Sequence, residues 1–222
     1  MKKLYYIIIS ICIFFSILIS SIFITTYDKS FYIKQFQINN TYENSMVLSR
    51  SISPNFVAKE VISYLKGDIN NLNRSGIFTN EEIIHMKDVK NLFIASKYVF
   101  LLLLTITVLT AIYTIRKYSL YDFLKNVIKY FILTSIIIIG IFFIAFLNFS
   151  ESFTIFHEIL FTNDYWLLDP DTSIIINIMP EEFFMAHASN IVLIFSLISF
   201  IILIFIIILM KLIKRRKNNV KL

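Results

Sequence analysis

The sequence predicts an all-α integral membrane protein with four transmembrane helices, both ends in the cytoplasm, and a small, mainly helical extracytoplasmic cap formed by the two outer segments. Three observations predict it. Apolar residues make up 57% of the chain and charged ones 16%, a balance foreign to a soluble domain of this length. Crossing about 30 Å of hydrocarbon as helix takes roughly 20 apolar residues, and four stretches meet that requirement. Lysine and arginine crowd the places that would face the cytoplasm and are missing from one connection altogether, as the positive-inside rule requires.

The first stretch, 4–25, follows Lys2 and Lys3. It is about twice as long as a signal-peptide core and has no small-residue cleavage site, so it reads as an uncleaved signal anchor. Cys12, the single cysteine, falls in the middle of this helix and offers no disulfide, and Ile11 before it does not fit a lipoprotein cleavage box. The other stretches run over 98–115, 127–149 and 190–212. Lys129, one turn into the third, is near enough to its end to snorkel back to the headgroups. Gly140 is the one weak interruption, and no polar or broken mid-membrane helix marks the path of a channel or transporter.

Lys2 and Lys3, then Arg116, Lys117 and Lys125, then Lys211, Lys214, Arg215, Arg216, Lys217 and Lys221 assign 1–3, 116–126 and 213–222 to the cytoplasm. The connection 150–189 carries Glu151, Glu158, Asp164, Asp169, Asp171, Glu181 and Glu182 with no Lys or Arg, and lies outside together with 26–97. The formal net charge of +6 sits in short juxtamembrane runs, not on a phosphate-tracking surface. That distribution argues against a nucleic-acid partner, and the basic tail reads as a topology anchor that also meets anionic membrane lipid.

Within the first outer segment, 31–38 alternates weakly and is expected as a short strand or extended stretch. From Asn55 onward, Phe56, Val57, Val61, Ile62 and Leu65 recur at helical spacing, and Gly67 supplies a left-handed stop. An asparagine-rich turn follows over 68–73. Thr79-Asn80-Glu81-Glu82 is a capping box that starts a helix carrying His85 toward the second membrane stretch. In the second outer segment, 153–161 holds His157 among aromatic and aliphatic residues, and Tyr165 and Trp166 follow as interface-seeking side chains. Asp169-Pro170-Asp171-Thr172 is turn chemistry, and Pro180-Glu181-Glu182 fits the first turn of the helix that enters the bilayer. The two segments are expected to pack on each other as one cap.

All three histidines, His85, His157 and His187, lie in the outer segments. Taken singly, each reads first as a structural or interfacial side chain. His85 and His157 make the better candidates, because Glu81 and Glu82 lie one turn before His85 and Asp88 about one turn after, so a carboxylate can orient the ring. His187 is a minor candidate. His157-Glu158 begins like a zincin motif, but Phe161 stands where the second histidine would. There is no glycine-rich phosphate loop and no nucleophile elbow around a serine. A metal held by His85, His157 and a carboxylate, as in a metal-dependent membrane hydrolase, stays open, and so does a non-catalytic membrane scaffold.

Three runs then align in order. They are Phe78-Thr79-Asn80-Glu81-Glu82-Ile83-Ile84-His85-Met86-Lys87-Asp88-Val89-Lys90, then Phe156-His157-Glu158-Ile159-Leu160-Phe161-Thr162-Asn163-Asp164-Tyr165-Trp166, and last Asp169-Pro170 with Pro180-Glu181-Glu182-Phe183-Phe184. With the four-helix plan they resemble the lipoprotein intramolecular transacylases (Lit) of Gram-positive bacteria over nearly the whole chain. The resemblance implies an acyltransferase of the cell membrane with its active site on the extracytoplasmic face. It would move the sn-2 acyl chain of a lipoprotein's S-diacylglyceryl group to the α-amino group of the N-terminal cysteine, giving a lyso-form lipoprotein. It implies no cofactor and no metal; the partners are membrane lipids and diacylglyceryl-modified lipoproteins. The family's catalytic pair falls on His85 and His157, either of which can be the base and the other the acid. Phe156, Phe161, Tyr165 and Trp166 would then limit water or form an ordinary interfacial belt, Asp88 and Glu158 would orient the histidines, and Asn163 and Asp164 would bind the substrate's head region or make a turn.

Overall fold

The computed structural model describes residues 2–72 and 76–219. Asn73, expected in the turn after Gly67, and Lys221, expected in the basic tail, lie outside the described residues. The described chain is helical with no strand: α1 Lys2–Tyr27, α2 Lys29–Ile38, a 3-10 turn Thr41–Glu43, α3 Ser45–Ser49, α4 Pro54–Lys66, α5 Asn80–Lys117, α6 Leu120–Leu147, α7 Phe149–Leu160, α8 Ile174–Ile178 and α9 Glu181–Asn219. Four of these, α1, α5, α6 and α9, are long and apolar enough to cross a membrane.

α5 has 38 residues and α9 has 39. At 1.5 Å per residue each runs for nearly 60 Å, about twice the hydrocarbon thickness. In α5 the charged residues Glu81, Glu82, Lys87, Asp88, Lys90 and Lys97 identify the first part as the one that stays out of the hydrocarbon. The capping-box helix and the second membrane stretch are thus one unbroken helix. The third stretch, expected to end at 149, stops at Leu147, where Asn148 leaves helical geometry with φ −128 and ψ 69 before α7 begins.

The chain forms two compact units. One comprises the described parts of 1–21, 97–144 and 192–222. It is held by Tyr6, Ile9, Phe123, Leu124 and Val127 in one cluster and by Phe14, Ile17, Phe131 and Phe195 in another. Its outward side chains are apolar as well, for example Ile136 at 65% exposure and Phe205 at 66%. Such a surface suits lipid, since water would leave a far larger apolar area uncovered than soluble proteins tolerate.

The other unit comprises the described parts of 22–96 and 145–191. Its centre is α4, which buries Val57, Ala58, Val61, Ile62 and Leu65 against Phe36, Phe78, Ile174, Ile178 and Phe183. Each of these Val, Ile, Leu and Phe side chains contributes roughly 1.5–3 kcal/mol when removed from water. Pro54 begins α4, where its missing N–H costs nothing, and Gly67 ends it at φ 95 with its N–H on the Ser63 carbonyl at 3.1 Å.

The stretch 31–38 is helix, not strand. Asp28 caps α2 by accepting from the Ser30 N–H at 2.9 Å. The buried positions Phe31, Tyr32, Gln35 and Phe36 are spaced one and four apart, as on one helical face, and the weak alternation of the sequence comes from the remaining positions.

Candidate active site

His85 owes its position to the start of α5. The capping box forms as the sequence predicts: Thr79 N–H donates to Glu82 Oε2 at 2.7 Å, and Glu82 N–H to Thr79 Oγ1 at 3.2 Å. Glu82 is fully buried, and its other oxygen accepts from Ser173 Oγ and from Ile175 N–H, each at 2.6 Å. Ser173 is also the N-cap of α8. One carboxylate therefore joins two helix starts, one of them a turn ahead of His85.

His157 sits in α7 and is 7% exposed. Its Nδ1 lies 2.6 Å from the Phe153 carbonyl. A carbonyl only accepts, so Nδ1 carries the proton and the neutral ring keeps its lone pair on Nε2. The rings of His85 and His157 are 5.9 Å apart, centroid to centroid. Phe161 lies 5.1 Å from the His85 ring and 5.6 Å from that of His157, Trp166 stacks on His157 at 5.0 Å, and Phe153 lies 4.3 Å from it. Two imidazoles thus share an aromatic box.

That box sets their charge state. Burial pushes His85 down to about 4, the neighbouring His157 pushes the same way, and Asp88 pulls against both. Burial also lowers His157, against the opposing pull of the Phe153 carbonyl. Both rings are neutral at neutral pH, one proton and one lone pair on each.

Residues 161–173 strap the site. Phe161 ends α7 with its N–H on the His157 carbonyl at 2.9 Å. Asn163 donates its amide to Asp88 Oδ2 at 2.9 Å and accepts from Tyr165 N–H at 3.2 Å, closing a side-chain turn that leads into Trp166. An open cavity of about 390 Å³ beside the strap is lined by Thr154, Glu158, Phe161, Asn163, Asp164 and Trp166, together with Thr162 and Leu167.

Of the candidates from sequence, the structure groups His85, His157, Phe161 and Trp166, with Asp88 one turn along α5. Phe156 meets the His157 ring edge-on at 5.4 Å but is 54% exposed. Glu158 and Asp164 are exposed on the cavity wall, and Tyr165 is exposed beyond it. His187 lies elsewhere: its Nε2 shares a 3.2 Å hydrogen bond with Thr26 Oγ1, and its ring packs on Phe31 and Phe183, a structural setting. Among the described residues no group of three His, Cys, Asp or Glu side chains is arranged to hold a metal ion. Sequence reasoning missed Phe153, detectable as the residue one turn before His157, and the role of Glu82 beyond its cap, for which only the three-dimensional partner Ser173 gives a signal.

Four helices long and apolar enough to cross a membrane, and a buried histidine pair in an aromatic box, define the class, an all-helical membrane protein with two imidazoles in one site. Residues 7–184 match the family model of the lipoprotein intramolecular transacylase Lit, and the chain belongs to that family. It is accordingly a transferase of a membrane-integral family. The chain is similar to in meso structures of the membrane-integral Lit from Bacillus cereus. One shares 26% identity with a TM-score of 0.74 over 96% of this chain and 98% of that one. A second, with an H85A mutation in that protein, shares 28% identity with a TM-score of 0.75 over 98% and 96%. A third, with H85R, shares 27% identity with a TM-score of 0.74 over 98% and 94%. No curated protein matches the chain.

Proposed function

We propose that this protein moves the sn-2 acyl chain of a lipoprotein's S-diacylglyceryl group to the α-amino group of its N-terminal cysteine, with His85 and His157 as acid–base catalysts. The observation that carries the reading is the pair of neutral imidazoles 5.9 Å apart in one aromatic box. It is supported by membership of the Lit family.

The chemistry asks little else of the protein. The amine nitrogen attacks the ester carbonyl, a C–N bond forms, and the bond to the glyceryl oxygen breaks; one proton leaves nitrogen and one arrives on oxygen. Ester becomes amide, which is downhill, so no nucleotide is consumed. Ester and amine belong to one molecule, and orientation alone supplies up to roughly 7–11 kcal/mol in well-aligned intramolecular reactions. His157, with Nδ1–H fixed on Phe153, offers its Nε2 lone pair to the amine proton. The proton then passes from His157 to His85, whose protonated form the Asp88 carboxylate one turn away favours, and His85 delivers it to the departing glyceryl oxygen, so that both rings end neutral again. Phe161 and Trp166 keep water from the acyl carbon, so the ester is transferred and not hydrolysed.

The same reading takes 4–25, 98–115, 127–149 and 190–212 as the membrane-crossing parts, 1–3, 116–126 and 213–222 as cytoplasmic, and 26–97 with 150–189 as an extracytoplasmic cap carrying the site. The support is the distribution of Lys and Arg. The substrates are diacylglyceryl-modified lipoproteins delivered in the membrane.

The test is direct: incubate the protein, in bilayer nanodiscs, with a synthetic S-diacylglyceryl-cysteinyl peptide, and follow products by tandem mass spectrometry with and without a strong chelator. N-acyl, lyso-glyceryl peptide forming at equal rates in both supports the reading. Loss of activity with chelator assigns the histidines to a metal hydrolase instead. An unchanged substrate throughout contradicts catalysis.

A further inference from the structure

At the basic ends of α6 and α9, a second open cavity of about 340 Å³ is built from two helix faces. Tyr121, Lys125 and Ile128 line it from α6, at spacings of four and three, so they share one face. Ile207, Met210, Lys211 and Lys214 line it from α9 at the matching period. Inward from the basic end the wall therefore runs Tyr121, Lys125, Ile128 on α6 and Lys214, Lys211, Met210, Ile207 on α9, from polar residues to an isoleucine on each helix. No carboxylate lines the cavity, and Asp122 beside Tyr121 is engaged by Ser119, whose hydroxyl donates to it at 2.9 Å. Among the described residues the side chains of Lys125, Lys211 and Lys214 make no hydrogen bond or ion pair, and all three line a space to which no carboxylate contributes.

We propose that this cavity is a binding site for an anionic phospholipid of the cytoplasmic leaflet, with the phosphate headgroup among Lys125, Lys211 and Lys214 and an acyl chain along Ile128 and Ile207. Basic pockets between transmembrane helices on the cytoplasmic side bind lipid phosphates for this reason: a charge that bulk water would screen is met at an interface of lower dielectric. The site lies in the other unit of the chain from the histidine pair; it rests on the topology proposed above and not on the transacylase chemistry.

The experiment uses the full chain in mixed micelles of neutral detergent doped with phosphatidylglycerol or phosphatidylcholine of the same acyl chains, with retained lipid counted by native mass spectrometry. Each lysine is expected to contribute about fivefold in preference for the anionic lipid. The triple change Lys125→Gln, Lys211→Gln, Lys214→Gln should abolish most of the phosphatidylglycerol preference. The triple change Arg215→Gln, Arg216→Gln, Lys217→Gln, which removes the same charge outside the cavity, should keep it. Glycerol phosphate alone should not compete, since the apolar half of the site is then empty; competition at equal concentration would reassign the cavity to a free phosphate. Equal retention of both lipids by the native protein, or equal loss in the two triple variants, overturns the proposal.

Discussion

Asn163 donates its side-chain amide to the carboxylate of Asp88 at 2.9 Å, tying the strap after α7 to the helix that carries His85. Asp88 is one turn beyond His85 and raises that histidine's affinity for a proton against the effect of burial. Replacing Asp88 with Asn removes the charge and keeps the shape. His85 should then titrate lower still, and turnover should fall about tenfold, the equivalent of roughly 1.4 kcal/mol. Histidine-selective NMR on the labelled protein reads the first effect and single-turnover kinetics the second.

Glu82 is the site's buried anchor. Glu82→Ala leaves Ser173 Oγ and the N–H groups of Thr79 and Ile175 without their acceptor, at about 1–3 kcal/mol for each buried group left unpaired. The expected result is a loss of at least about 3 kcal/mol in denaturant stability. Glu82→Gln keeps the volume but turns one donor toward a donor, and should fall between the two. A stability unchanged in both would contradict the role given to this carboxylate.

The three depressed histidines, His85, His157 and His187, each lowered by burial, fix a sign for pH dependence. A histidine whose proton affinity is lower folded than unfolded binds its proton in the unfolded chain first, so acid favours unfolding. The stability tied to His85 is complete above the ordinary histidine value near 6.5 and is lost as pH falls toward about 4. Thermal denaturation between pH 7 and pH 4 should show that decline, and His85→Phe should reduce its steepness.

The aromatic box predicts a change in product and not only in rate. Opening it with Trp166→Ala admits water beside His157, which that ring now covers at 5.0 Å. Free fatty acid should rise relative to N-acyl peptide by several-fold, as quantified by mass spectrometry, with total ester consumption less affected.

Much of this was legible from residues alone, where the signal is local. Four apolar stretches, the Thr79–Glu82 capping box and the Gly67 stop each follow from side-chain chemistry within one or two turns of helix. What was not legible is long-range or ambiguous in period. Phe31 to Ile38 offers eight residues, too few to separate a strand's alternation from a helical face, and the Asp28 cap decides it. The bond from Ser173 to Glu82 joins residues 91 apart in sequence, and the Asn163 contact with Asp88 joins residues 75 apart. The proton on His157 depends on the Phe153 carbonyl, which no sequence pattern distinguishes from any other carbonyl in a helix.

The central claim is that His85 and His157 work on one acyl transfer. Its most direct measurement is mass spectrometry of a lipoprotein's N-terminal peptide from cells without other N-acylating enzymes, supplied with the native protein, His85→Ala or His157→Ala at equal abundance. The account predicts an acyl chain on the cysteine nitrogen with the native protein and the unaltered diacylglyceryl form with either variant. N-acylation persisting at native level in both variants, or absent with the native protein, would contradict it.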